Sequence, residues 1–124
     1  MTPSTVLLRQ IHPNFYPNGE LTSQAFLPFS KDKGKPSVYD GDQISAADAF
    51  VHYTTVLKNQ SCSVRGINCS EVDSVGLTSI ANPLPNFPSH ALVDFTGRPD
   101  KEWRKLAKRL KDFALKRGCL YTLA

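Results

Sequence analysis

His90-Ala-Leu-Val-Asp-Phe-Thr-Gly-Arg-Pro-Asp-Lys-Glu-Trp-Arg-Lys-Leu-Ala-Lys-Arg-Leu-Lys-Asp-Phe-Ala-Leu-Lys-Arg-Gly118 reads as a strand followed by a helix. The run from His90 to Phe95 is rich in aliphatic residues, as an inner strand is. Thr96-Gly97 breaks it, and Pro99 suits the first turn of a helix. Trp103, Leu106, Ala107, Leu110, Phe113 and Ala114 then recur at helical spacing, giving one apolar stripe. Gly118 is the stop signal. Other strands and a helix precede this pair. The expected fold is therefore α+β: a small mixed sheet with two main helices packed on it and a long C-terminal amphipathic basic helix. The chain has 124 residues, the size of one domain.

The same segment concentrates the charge. Residues 98–117 hold nine of the fifteen Lys and Arg residues against three acids, a net of +6. Residues 1–97 hold six bases and eight acids, a net of −2. Opposite the apolar stripe lie Lys101, Arg104, Lys105, Lys108 and Lys111, with Asp112 spaced to pair with Lys108 and Lys116. Such a face suits a nucleic-acid backbone, an acidic protein partner, or solvent alone. No aromatic residue interleaves with it, which argues against a stacking platform for single strands.

Working back towards the N-terminus, Thr5 to Ile11 reads as a first strand, ended by His12-Pro13. Residues 13–37 hold Pro13, Pro17, Gly19, Pro28, Gly34 and Pro36, and form a long irregular excursion with one possible strand at Gln24–Leu27. After Ser37-Val-Tyr39 and the turn Asp40-Gly41-Asp42, Ser45 with Asp48 marks a helix start. Its predicted face is Ala46, Ala49, Phe50, Tyr53, Val56 and Leu57. Cys62 to Ile67 reads as a strand, and Ser70 to Val75 as a short capped helix stopped by Gly76. Residues 81–89 are Pro-rich and extended.

Several groups are candidates for chemistry. His12 and His90 sit at strand ends. If those strands are neighbours, the two rings share one sheet edge with Tyr39, Asp40 and Asp42, and two imidazoles can act as acid and base in phosphodiester cleavage. Arg65, on an otherwise small or apolar strand, is either outward-facing or a buried anion ligand. His52 lies off the apolar face of its helix. Asp40-Gly41-Asp42 lacks the further ligands of a calcium loop and reads as a tight turn. Cys62, Cys69 and Cys119 have neither zinc-knuckle spacing nor an even count, so they read as small buried hydrophobes in a reducing compartment. No metal or cofactor is expected. The phosphate-loop, dinucleotide and serine-elbow motifs are absent, which disfavours the common nucleotide-dependent enzymes and serine hydrolases. The N-terminus lacks a signal peptide's basic and apolar regions, and the expected location is cytoplasmic.

His12-Pro13, Ser23-Gln-Ala-Phe26, Ser37-Val-Tyr-Asp-Gly-Asp42, Pro88-Ser-His-Ala-Leu-Val-Asp-Phe95 and Arg117-Gly-Cys-Leu-Tyr121 resemble a family of small bacterial proteins of unknown function. The resemblance implies no activity. It does imply an association with mobile-element, antiviral defence or toxin–antitoxin genes.

The leading expectation is a small cytosolic non-enzymatic binding module. It would act in a larger assembly through the basic helix and the loop of residues 13–36, on a protein or a nucleic-acid backbone and not on a membrane. The rival is a metal-independent ribonuclease toxin using His12 and His90, with Tyr39 or Arg65 supporting the transition state. A third class is a structural or inhibitory subunit such as an antitoxin or immunity protein.

Overall fold

The structure is a computed structural model describing residues 1–123. Its strands are β1 (Val6–Ile11), β2 (Ser37–Asp40), β3 (Ser63–Asn68), β4 (Thr78–Ala81), β5 (His90–Asp94) and β6 (Tyr121–Thr122). Its helices are α1 (Ala46–Val51), α2 (Cys69–Ser74) and α3 (Trp103–Arg117). The strands form one sheet in the order β4-β5-β2-β1-β3-β6.

Every pairing is antiparallel, so the sheet is not mixed. Among the described residues no helix crosses over between neighbouring strands in the way a parallel pair requires; β4 and β5 are joined by the extended Pro-rich segment. The segment Gln24–Leu27 is not a strand either. Ser23–Phe26 winds into a 3₁₀ turn that buries Ala25 and Phe26. Three further 3₁₀ turns, Pro13–Phe15, Pro17–Gly19 and Ser30–Asp32, organise the rest of the long excursion.

Alternation along β1 divides the core. Leu7 and Ile11 point to one side, where Phe26, Ile67, Val72, Phe95, Leu106 and Leu110 bury with them under α2 and α3. Leu8 points to the other, joined by Tyr39, Val64, Ala49 and Phe50 under α1. Helices therefore cover both faces of one antiparallel sheet.

Capping explains where the helices begin. The Ser45 hydroxyl accepts from the Asp48 N–H at the start of α1. Asn68 and Glu71 form a reciprocal capping box at the start of α2. A 3₁₀ turn, Asp100–Glu102, leads into α3, and Gly118 ends it at φ 92°. Past Val51, α1 continues as a π turn, His52–Val56. The wider turn rotates the predicted face away from the sheet, which leaves Val56 64% and Leu57 40% exposed.

Asp40-Gly41-Asp42 is a turn, and its carboxylates are engaged within it. Asp40 accepts from the Asp42 N–H and the Gln43 amide, and Asp42 accepts from the Thr5 hydroxyl. Gly41 donates its N–H to the Val6 carbonyl at 2.8 Å, and a Cβ at Gly41 would overlap that same carbonyl oxygen. Gly41→Ala is expected to open the β1–β2 end at a cost of about 1–3 kcal/mol. Urea unfolding measures it, and a loss below about 0.5 kcal/mol would mean the turn yields freely.

Candidate functional site

Two surfaces stand out: a cavity at the open end of the sheet, and the outer side of α3. The cavity arises because β1 and β2 part. Their ladder holds only Leu7–Asp40 and Leu8–Tyr39, although β1 runs on to Ile11 and β2 begins at Ser37. The Arg9 guanidinium spans the split, donating to the carbonyls of Ala25 and Ser37. Burial lowers its pKa from the ordinary guanidinium value, against the pull of Asp32 and Tyr53.

The space above holds about 570 Å3, within the usual range for small-molecule sites. The sheet contributes Leu8, Gln10, Ser37, Tyr39 and His90; the π turn and the residue after it contribute Tyr53 and Leu57. The β4–β5 connection adds Leu84 and Phe87, and the long excursion adds Phe15, Phe29 and Lys31. His12 also lines it.

His90 opens β5 directly opposite Tyr39 of β2. Its Nδ1 lies 2.9 Å from the Asn82 carbonyl, and its Nε2 lies 3.1 Å from the Ser37 hydroxyl. The Asn82 side-chain amide also lies 3.2 Å from Nδ1, but the main-chain carbonyl is the shorter contact and only accepts; with the proton on Nδ1 to meet it, Nε2 accepts from Ser37. The Asn82 N–H in turn donates to the His90 carbonyl, which locks the two residues together. Beside this pair, the Tyr39 hydroxyl lies 2.7 Å from His52 Nδ1. Burial, and then Tyr53, raise the Tyr39 pKa well above the phenol's ordinary value, so its hydroxyl stays protonated beside His52. Phe87 packs between the imidazoles of His52 and His90, at centroid distances of 4.5 and 4.9 Å.

His12, Tyr39 and His90 thus line one cavity, although β2 separates the strands that carry the two histidines. His12, however, is engaged as a cap. Its Nδ1 accepts from the Asn14 N–H, and its Nε2 donates to Gln60. Arg65 lies on the opposite face of the sheet, 7% exposed and directly across from Arg9 in the β1–β3 register. It donates to the Tyr16 hydroxyl, lies over that ring, and leaves its Nε unpaired. Asp94 sits at the far end of β5, and hydrogen bonds from Thr96 hold its carboxyl below the ordinary carboxylate range. Among the described residues, no group of three or more His, Cys, Asp or Glu is placed to hold a metal ion. Cys69 is buried, but Cys119 is exposed, unlike the buried thiol expected of it.

On α3, Leu106, Ala107, Leu110 and Ala114 are buried. Lys101, in the entry turn, and Arg104, Lys105, Lys108 and Arg109 are exposed. Among the described residues none of these five has an acidic partner within salt-bridge distance. Other cations of the segment do: Arg98 with Glu102, Lys111 with Asp112, and Arg117 with Glu71. Lys111 is half-buried beside Asp112, and Arg109, not singled out from the sequence, is on the open face. Asp112 pairs with its chain neighbour rather than with Lys108 or Lys116.

Sequence reasoning did not single out Arg9, Gln10, Ser37 or Arg109. Arg9 had a signal, an arginine inside an aliphatic strand. Ser37 had none, since its partner lies 53 residues away. Among the described residues no helix is long and apolar enough to cross a membrane. The chain matches no protein-family model, no characterised protein and no solved structure, so its function is argued from its own geometry.

Proposed function

We propose that this protein is a binding module that rests the outer face of α3 on the phosphate backbone of a duplex nucleic acid. One observation carries the reading: Lys101, Arg104, Lys105, Lys108 and Arg109 stand exposed on two adjacent helical rows, without an acid in salt-bridge distance among the described residues. The rows Lys101–Lys105–Arg109 and Arg104–Lys108 rise about 6 Å per step, so several cations meet one backbone together.

The make-up of the face favours phosphate over protein. Protein interfaces are anchored by buried aromatic and apolar side chains. Here Trp103 is turned inward, its indole N–H donating to the carbonyls of Phe95 and Arg98. Leu115 is the one large apolar side chain exposed on α3. A face of cations without a stacking aromatic suits a duplex better than an unpaired strand.

The test is fluorescence anisotropy with labelled duplexes of unrelated sequence in about 50 mM salt. Equal affinity across sequences is the expected result, because backbone contacts read no bases. Absence of binding to any duplex would overturn the reading. So would tight binding to an acidic protein with no affinity for duplex.

The ribonuclease reading has a narrower basis. His12 and His90 line one cavity, but His12 is held as a cap and Arg65 faces away.

A further inference from the structure

We infer that the cavity is a hydrolytic site in which Ser37 is the nucleophile and His90 its general base, acting on carboxylic esters or thioesters with an apolar acyl group. This goes beyond the α3 reading and is independent of it.

Three geometric conditions for an activated hydroxyl meet here. The nucleophile is in hydrogen-bond reach of the base, with Ser37 Oγ 3.1 Å from His90 Nε2. The base is oriented by a third group, since Asn82 meets His90 Nδ1 with its carbonyl at 2.9 Å and its side-chain amide at 3.2 Å; in the tautomer that donates to the carbonyl, Nε2 is the acceptor. The nucleophile is accessible while its base is not: Ser37 is exposed at the cavity wall, whereas His90 is buried. Arg9 fixes the Ser37 main chain by donating to its carbonyl at 2.7 Å.

A further polar group belongs to the site. Gln10 lies on the same face of the sheet as Leu8, lines the cavity, and is 9% exposed. Both its amide nitrogen and its amide oxygen are without partners among the described residues. It is the one such buried group in the cavity wall. Buried amides are rarely left unpaired. The Gln10 amide is the donor available to a carbonyl oxygen that gains charge during attack. The remaining wall, with Leu8, Phe29, Tyr53, Leu57, Leu84 and Phe87, fits an apolar acyl chain or ring.

The reaction balances without a cofactor. Ser37 Oγ attacks the carbonyl carbon as its proton passes to His90 Nε2. The C–O or C–S bond then breaks, and His90 returns that proton to the leaving alcohol or thiol. Water attacks the acyl-Ser37 ester, giving a proton to His90. The C–Oγ bond breaks, releasing the acid, and the proton returns to Oγ.

The experiment uses the full chain with a fluorophosphonate probe and with p-nitrophenyl butyrate. Intact mass and peptide mapping should show one adduct, on Ser37, and ester turnover should exceed the buffer rate. Ser37→Ala should abolish both at an unchanged melting temperature. Gln10→Leu should lower kcat by about 10–1000-fold while the Ser37 adduct still forms. His90→Gln should slow both, and Lys116→Ala, exposed on α3 and outside the cavity, should leave both unchanged. An adduct on another residue, turnover unchanged in Ser37→Ala, or no adduct and no turnover in the folded wild type would overturn the assignment. None of these outcomes bears on duplex binding.

Discussion

Replacing Phe95 with alanine is expected to remove about 3–5 kcal/mol of stability and to lower Tm by about 10–20 °C. Phe95 is wholly buried and joins three parts of the molecule. Its N–H donates to the Gly34 carbonyl, tying down the end of the long excursion. Its carbonyl accepts from the Trp103 indole, and the two rings meet edge-to-face at 5.9 Å. Truncation keeps the backbone bonds but leaves a ring-sized void between β5 and α3. Urea unfolding by circular dichroism reads the effect as a lower midpoint at unchanged slope. A loss under 1 kcal/mol would mean that α3 is held by something other than this packing.

The second large effect is on binding. Arg104→Glu, Lys105→Glu and Lys108→Glu combined should weaken duplex binding more than about 100-fold, because three attractions become three repulsions. All three side chains are exposed and have no ion-pair partner among the described residues, so stability should stay within about 0.5 kcal/mol. The same reversal at Lys31, Lys33 and Lys35, in and just after the 3₁₀ turn Ser30–Asp32, should change binding far less. If the α3 triple variant binds like wild type, the helix is not the contact.

The parts of the fold that were readable in the sequence share one property: they are local. The α3 stripe repeats over four turns, so the burial of Leu106, Ala107, Leu110 and Ala114 follows from spacing alone. Ser45 with Asp48 and the glycine at 118 mark helix ends by chemistry within a single turn. The misses were set by distant partners. β4 and the two-residue β6 carry no clear alternation of their own and are strands because β5 and β3 pair with them. Strand direction was misjudged because alternation says nothing about the sense of a neighbour. Val56 and Leu57 failed because a π turn adds a residue to the repeat and swings the stripe outward. Phe26 sits in a segment with weak strand pattern, yet packing against α3 makes it helical and buried.

The candidate sites divide in the same way. Lys101, Arg104, Lys105 and Lys108 were legible because helical geometry alone puts them opposite Trp103. Arg109 was missed although four-residue spacing puts it in the row of Lys101 and Lys105, while Lys111, next to buried Leu110, is half-buried. His90 and Tyr39 were singled out as strand-end residues, and the β2–β5 register does put them opposite each other. Ser37 and Gln10 went unnoticed because the cavity exists only where β1 and β2 separate.

The central claim is that the open cations of α3 meet phosphates. Titrating salt against duplex affinity tests it most directly. Five phosphate contacts give a slope of about −4.5 for log K against log salt, and a loss of about 500-fold between 50 and 200 mM. In the Arg104/Lys105/Lys108 triple variant any residual binding should lose most of that slope. A wild-type affinity that stays level as salt rises would contradict the account.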